Sequence, residues 1–167
     1  MKRTINTNLA KKKDLFDVLA LSEAIGLPVL LIGDPGVAKT AAVMDYAETA
    51  LGEISNNDIF LLETDEGTRS NAVKGNIDLE ALTTNNKYQV VSPIADAKFV
   101  IINEIDKASA SLRNSLLGVM NEKYIFNGTE KKKCQWDAFV ATCNEIPEDE
   151  INSPFWDRFA ITFRVDR

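Results

Sequence analysis

The sequence has no histidine. That removes His-based triads, His-ligated zinc sites and histidine general bases in one step. Cysteine is scarce: Cys134 and Cys143 stand without partners at metal-ligand spacing and read as two reduced thiols. Eight glycines and five prolines, against 45% apolar and 26% charged residues, exclude wholesale disorder. No apolar run approaches the roughly 20 residues that a membrane helix needs, so no membrane partner is expected. The start, Met1-Lys2-Arg3-Thr4-Ile5-Asn6-Thr7, is polar and shows no signal peptide, which places the expected location in the cytoplasm. Positive charge is in deficit: 19 Lys and Arg face 25 Asp and Glu, a net of −6. This argues against coating duplex DNA or anionic lipid with the whole surface, though a local basic loop stays open. With 167 residues the chain reads as one domain, 1–167, long enough to bury a core.

There is no internal repeat and no low-complexity linker. Lys11 to Ile25 carries Leu15, Val18, Leu19 and Ile25 at helical spacing, with Phe16 and Leu21 widening the stripe and Gly26 as a stop. The expected division is an N-terminal helix over 11–26 and a core over 28–165. Pro28-Val29-Leu30-Leu31-Ile32 is a short unbroken apolar run, the pattern of a strand buried on both faces. Lys39 to Leu51 reads as a helix. Further apolar runs follow at Ile59–Leu62, Phe99–Ile102, Ala138–Ala141 and Ile161–Phe163, with a helix over Ser109–Met120 whose Leu112, Leu116, Val119 and Met120 face a core. Strands alternating with helices predict an α/β sandwich of three layers around a parallel five-stranded sheet. Tyr124-Ile125-Phe126-Asn127-Gly128 looks like a hairpin arm entering an Asn-Gly turn, and Tyr88-Gln89-Val90-Val91 like another small β element.

The first strand runs directly into Gly33-Asp34-Pro35-Gly36-Val37-Ala38-Lys39-Thr40, and a helix follows. Such a loop turns backbone N–H groups toward one point, and the helix N-terminus adds partial positive charge. Asp34, Pro35, Gly36, Val37, Ala38, Lys39 and Thr40 are therefore the candidate phosphate-binding residues. The lysine suits β- and γ-phosphates and the threonine hydroxyl suits Mg²⁺. The strict pattern asks for glycine where Ala38 stands. An ordinary Gly/Pro turn is the plainer alternative. A phosphate site of this kind also needs a carboxylate at a nearby strand end, where one acid supports Mg²⁺ and a following Glu polarises water. The third run ends in Asn103-Glu104-Ile105-Asp106-Lys107, which could also be an acidic strand end facing solvent. Asp106 reads as a cap for the following helix.

These elements together resemble the AAA+ ATPases, most closely the MoxR-like branch akin to chelatase and MCM-type proteins, over residues 11–165. Gly33–Thr40 resembles the Walker A loop, for which Ala before the lysine is an accepted variant. Asn103-Glu104 stands at the Walker B Asp-Glu. Phe139-Val140-Ala141-Thr142-Cys143-Asn144 resembles the fourth strand and sensor 1. Trp156-Asp157-Arg158-Phe159 resembles the Asp-Arg-Phe that carries an arginine finger. The small β elements fall where this branch has its helix-2 insert and pre-sensor-1 hairpin. The resemblance implies ATP or ADP and Mg²⁺ as cofactors. Lys39 would neutralise phosphate, Thr40 and Asn103 would face the metal, and Glu104 would activate water. Asn144 would position that water or the γ-phosphate, and Arg158 would act across a subunit boundary. It also implies a homo-oligomer, a hexameric ring or a helical array, and a protein client or adaptor.

Two departures stand out. Asn103 replaces an aspartate, so weaker Mg²⁺ holding and slower turnover are expected. The sequence stops after the fifth strand, so the branch's C-terminal helical lid and sensor 2 arginine are not expected. Plainer roles remain beside the sharp ones. Asn144 could cap the turn before Pro147, and Arg158 could pair with Asp157 or Glu148. Lys131-Lys132-Lys133 could face a central pore and touch nucleic acid or an acidic substrate, but such a run is more often a solvated hairpin tip. Trp136, Phe155 and Trp156 read as packing. No Asn/Thr-Lys-x-Asp of guanine specificity occurs, which favours ATP over GTP. Three functions follow: an ATP hydrolase that remodels a protein, a DNA-acting motor or loader, which the acidic balance disfavours, and a nucleotide-gated scaffold with little hydrolysis.

Overall fold

The computed structural model describes residues 12–53, 55, 57–77, 83, 90–127, 130–151 and 153–165. The polar start, Lys11, Tyr88-Gln89 and Gly128 lie outside the described residues. In chain order the elements are α1 (Lys12–Ile25), β1 (Val29–Ile32), α2 (Lys39–Leu51) and β2 (Ile59–Glu63). Then come α3 (Asn71–Lys74), β3 (Asn76–Ile77), β4 (Val90–Val91), α4 (Pro93–Asp96) and β5 (Phe99–Asn103). The chain continues with α5 (Ala110–Glu122), β6 (Tyr124–Asn127), β7 (Glu130–Lys133), β8 (Ala138–Cys143) and β9 (Ile161–Arg164).

Five strands form one parallel sheet in the order β2-β5-β8-β1-β9. The three inner strands are the most apolar segments of the chain. All six residues of β8, at the centre, are buried. The strand period of two sorts their side chains to opposite faces. Leu30, Val100, Ile102, Phe139 and Ala141 pack under α5 with Leu112, Leu116 and Val119. Leu31, Ile101 and Val140 pack under α1 and α2 with Leu15, Leu19, Ala42 and Val43. The result is a three-layer sandwich. The short pairs β3–β4 and β6–β7 are antiparallel and stand outside the sheet. Trp136, Phe155 and Trp156 are buried, as their packing role predicts.

Three expectations need correction. The apolar stripe of α1 is narrower than the spacing implies: Leu21 and Ile25 are 52% and 48% exposed. Ser22 takes the core-facing place in that turn because its hydroxyl donates back to Leu27 O at 2.6 Å. Gly26 does end the helix, in a left-handed conformation with φ of 64°. Asp106 does not cap α5. A 3₁₀ turn, Ile105–Lys107, intervenes, and Ser109 is the cap, accepting from the Leu112 N–H at 3.3 Å. The lysine run is not a hairpin tip. Asn127 pairs with Glu130, so Lys131–Lys133 lie along β7, where Lys131 pairs with Glu122 and Lys132 with Asp96.

Candidate functional site

The loop after β1 is fixed at its root by the strands on either side. Gly33 N–H donates to Cys143 O at 3.3 Å, and Val165 N–H donates to Ile32 O at 2.7 Å. A Cβ on Gly33 would lie 2.3 Å from Val165 O, so only glycine fits there. Gly36 turns the loop at φ 82°, and Ala38 follows at φ 57° and ψ 32°. The residue that departs from the strict pattern therefore occupies the backbone region for which glycine is preferred. Val37 is buried beneath the loop, leaving only its backbone to face a ligand. No side chain caps α2, so the first-turn N–H groups keep their positive end free for an anion.

Lys39 is the first residue of α2 and only 8% exposed, an unusual place for an ammonium. Its Nζ donates to Gly33 O at 2.6 Å, Asp34 O at 3.2 Å and Asn144 Oδ1 at 3.3 Å. Burial pulls its pKa below the ordinary lysine value, while the surrounding acidic groups oppose that shift. The Asn144 contact brings the proposed sensor to the loop.

A second cluster sits where β2, β5 and β8 end, the edge at which parallel α/β sheets bind ligands. Thr40 Oγ1 donates to Asn103 Oδ1 at 2.6 Å, and Thr142 Oγ1 donates to the same oxygen at 2.5 Å. The amide's nitrogen donates to Glu63 Oε2 at 3.1 Å. Glu104 has left-handed backbone angles, φ 57° and ψ 44°. Its N–H donates to Thr142 Oγ1 at 3.2 Å, and its carbonyl accepts from Thr64 Oγ1 at 2.6 Å. A non-glycine residue held this way stores on the order of 1–3 kcal/mol, a strain that collects at functional sites. The Glu104 carboxylate accepts from Lys107 Nζ at 2.6 Å, and this bond raises the Lys107 pKa.

A cavity of about 210 Å³ brings Lys39, Thr40, Asn103, Glu104, Thr142 and Asn144 together, with Pro35, Gly36 and Ala38 on its rim. The Thr40 hydroxyl and Asn103 amide oxygen are hard donors side by side. No group of three His, Cys, Asp or Glu residues suited to a metal occurs among the described residues. This donor set fits Mg²⁺, which keeps several waters and takes the rest from phosphate oxygens. A wider opening of about 840 Å³ lies beyond it, between Asp65–Gly67 and Asp106–Arg113, with charges of both signs.

Arg158 is not brought to this cavity. It ends the 3₁₀ turn Trp156–Arg158, which Trp156 anchors in the core. Ala160 N–H then donates to Pro28 O, at the start of β1, whereas the phosphate loop leaves from the end of β1. Arg158 is exposed and forms no ion pair among the described residues, with Asp157 or Glu148 or otherwise. Four polar contributors escaped the sequence reading: Glu63, Thr64, Lys107 and Thr142. Glu63 and Thr64 were findable, since they close the second apolar run at the same sheet edge.

Comparison with known proteins agrees with the fold. The family described as the MoxR domain in the MoxR-vWA-beta-propeller ternary systems matches residues 1–167. A structural protein, ORF618, of Acidianus two-tailed virus is 30% identical over 139 residues, covering 81% of this chain and 22% of its own length. An uncharacterised protein of Methanocaldococcus jannaschii is 23% identical over 161 residues, covering 95% of this chain and 41% of its own. Among solved structures, a Cytophaga hutchinsonii protein named for an inferred ATPase activity superposes with TM-score 0.72 at 20% identity, covering 96% of this chain and 48% of that one. NtrX of Brucella abortus, solved in complex with ADP, gives TM-score 0.65 at 12% identity, covering 98% and 37%. The chain thus spans less than half the length of each of these relatives. With the whole sequence matched and the sheet, loop and strand-end cluster in place, the chain belongs to the MoxR-like AAA+ ATPases.

Proposed function

We propose that this chain binds ATP in the presence of Mg²⁺ at the Gly33–Thr40 loop and hydrolyses it within an oligomer, driving the remodelling of a protein partner. The observation that carries this reading is the buried Lys39 ammonium at the root of an uncapped helix, with Thr40, Asn103, Glu104 and Asn144 around one cavity. Lys39 binds the phosphates by exchanging its carbonyl partners for phosphate oxygens. Thr40 and Asn103 hold Mg²⁺, which spreads the charge of the β- and γ-phosphates when bound. Glu104 leaves Lys107 and orients the attacking water, and Asn144 steers the γ-phosphate. Arg158 serves the site of a neighbouring copy. The family's description supports a partner that is a vWA or β-propeller protein.

The scaffold reading has two specific observations in its favour: Glu104 is tied to Lys107 at 2.6 Å, and Asn103 carries no charge. Phosphate release by the wild type and Glu104→Gln separates the two. The hydrolase reading expects steady release that falls by at least about 10² in the variant, with ATP binding retained. ATP binding without release from either protein would leave the scaffold.

A further inference from the structure

We propose that Glu63 is the positioning residue that sets the direction of the Asn103 amide, and that it returns to the site the negative charge that Asn103 lacks. The inference rests on the reading of the cavity as a Mg²⁺-nucleotide site. A carboxamide has an acceptor end and a donor end, and rotation by half a turn exchanges them. Here the acceptor end takes two hydroxyls, Thr40 at 2.6 Å and Thr142 at 2.5 Å. The donor end faces Glu63 Oε2 at 3.1 Å. Glu63 and Asn103 are the final residues of adjacent parallel strands and are partners in register, so backbone pairing delivers the carboxylate to that nitrogen.

The flipped amide would set Oδ1 against the Glu63 carboxylate and turn NH₂ toward the hydroxyls. Glu63 excludes it by oxygen–oxygen repulsion. The strict pattern places an acid where Asn103 stands. In this chain the acid stands one strand over, and the amide relays its effect to the oxygen beside Thr40. The arrangement makes a counterintuitive demand on repair of the motif. Aspartate at 103 would face the Glu63 carboxylate with no proton donor between them, so the two acids would repel and turn the side chain away from Thr40 and Thr142. Restoring the acid alone therefore does not restore the site. Restoring it while neutralising Glu63 does.

The test compares wild type, Glu63→Gln, Asn103→Asp and the double variant. Glu63 is exposed at a strand end and glutamine is isosteric, so folding is retained. ATP affinity is measured by calorimetry in EDTA and in Mg²⁺, and the Asn103 side-chain NH₂ resonances are followed in nucleotide-free protein. We expect equal ATP affinity in EDTA for wild type and Glu63→Gln. The Mg²⁺-dependent gain falls about 10- to 100-fold in Glu63→Gln, the usual effect of removing a group that orients a metal ligand. Asn103→Asp is also impaired, the double variant recovers the gain, and the Asn103 NH₂ signals move in Glu63→Gln. An unchanged Mg²⁺ gain, unmoved NH₂ signals, or a double variant no better than Glu63→Gln overturns the inference. Intact ATP binding beside any of these overturns this inference alone. Failure of the wild type to bind ATP under either condition overturns the site reading as well.

Discussion

Ala38 is the residue at which the loop deviates from the strict phosphate-binding pattern, and its φ of 57° shows what the deviation costs. An L-residue with a Cβ is strained in this region, and glycine is not. Glycine also loses more backbone freedom on folding, which offsets part of the gain. We expect Ala38→Gly to raise stability by roughly 0.5–1 kcal/mol, read as a higher urea midpoint with unchanged slope. A lower midpoint would mean that the loop does not hold this conformation in solution. Glu104 has the same left-handed geometry, but its substitution would remove the carboxylate, so Ala38 is the cleaner probe.

β8 ties the two cores together, since it lies between β5 and β1 and sends Phe139 and Ala141 one way and Val140 the other. Its last residue, Cys143, and Cys134 after β7 are both buried. Burial raises the Cys143 thiol to about 12 and the Cys134 thiol to about 11, from 9.0 in an open chain. Below pH 9 both states hold these protons. Above it the unfolded chain releases them while the native state does not, so this contribution to stability is lost as the pH climbs toward 11 and then 12. Urea midpoints should fall between pH 8 and 11, and less steeply in a Cys134→Ala, Cys143→Ala variant. An identical fall in both proteins would exclude the thiols as its source. Most of these elements were legible in the sequence because unbroken apolar runs of four or five residues mark strands covered on both faces. The loop was legible because Gly33, Gly36, Lys39 and Thr40 fall between a buried strand and a helix, the context in which such spacing suits phosphate. The pairing of the polar groups at the sheet edge was not: the end of the second apolar run marks Glu63 and Thr64 as strand-end residues, but no periodicity says what they or Thr142 touch. Only the register of β2 with β5 brings Glu63 to Asn103. The 3₁₀ turn that displaced Asp106 was equally silent, because one turn of three residues leaves no pattern of its own.

The assembled chain presents the Gly33–Thr40 loop at one end of β1 and Arg158 near the other, so Arg158 does not line the loop's cavity in its own copy. In the proposed reading ATP turnover per subunit rises with protein concentration. It falls by roughly 10³ or more in Arg158→Ala, the usual range for an arginine supplied from outside the site. A rate independent of concentration and indifferent to Arg158 would confine the chemistry to one copy. The lysines of β7 do not support the DNA reading, since Lys131 and Lys132 already have acidic partners within the chain. In the same proposed reading, the separation of Arg158 from its own loop restricts symmetry. Two copies related by a two-fold axis bury the same patch twice and cannot, through one such contact, lend an arginine in a consistent direction around a series. A donor-to-acceptor contact can, and it gives every subunit a predecessor and a successor. Firing order would then be written into the direction in which the sheet was laid down.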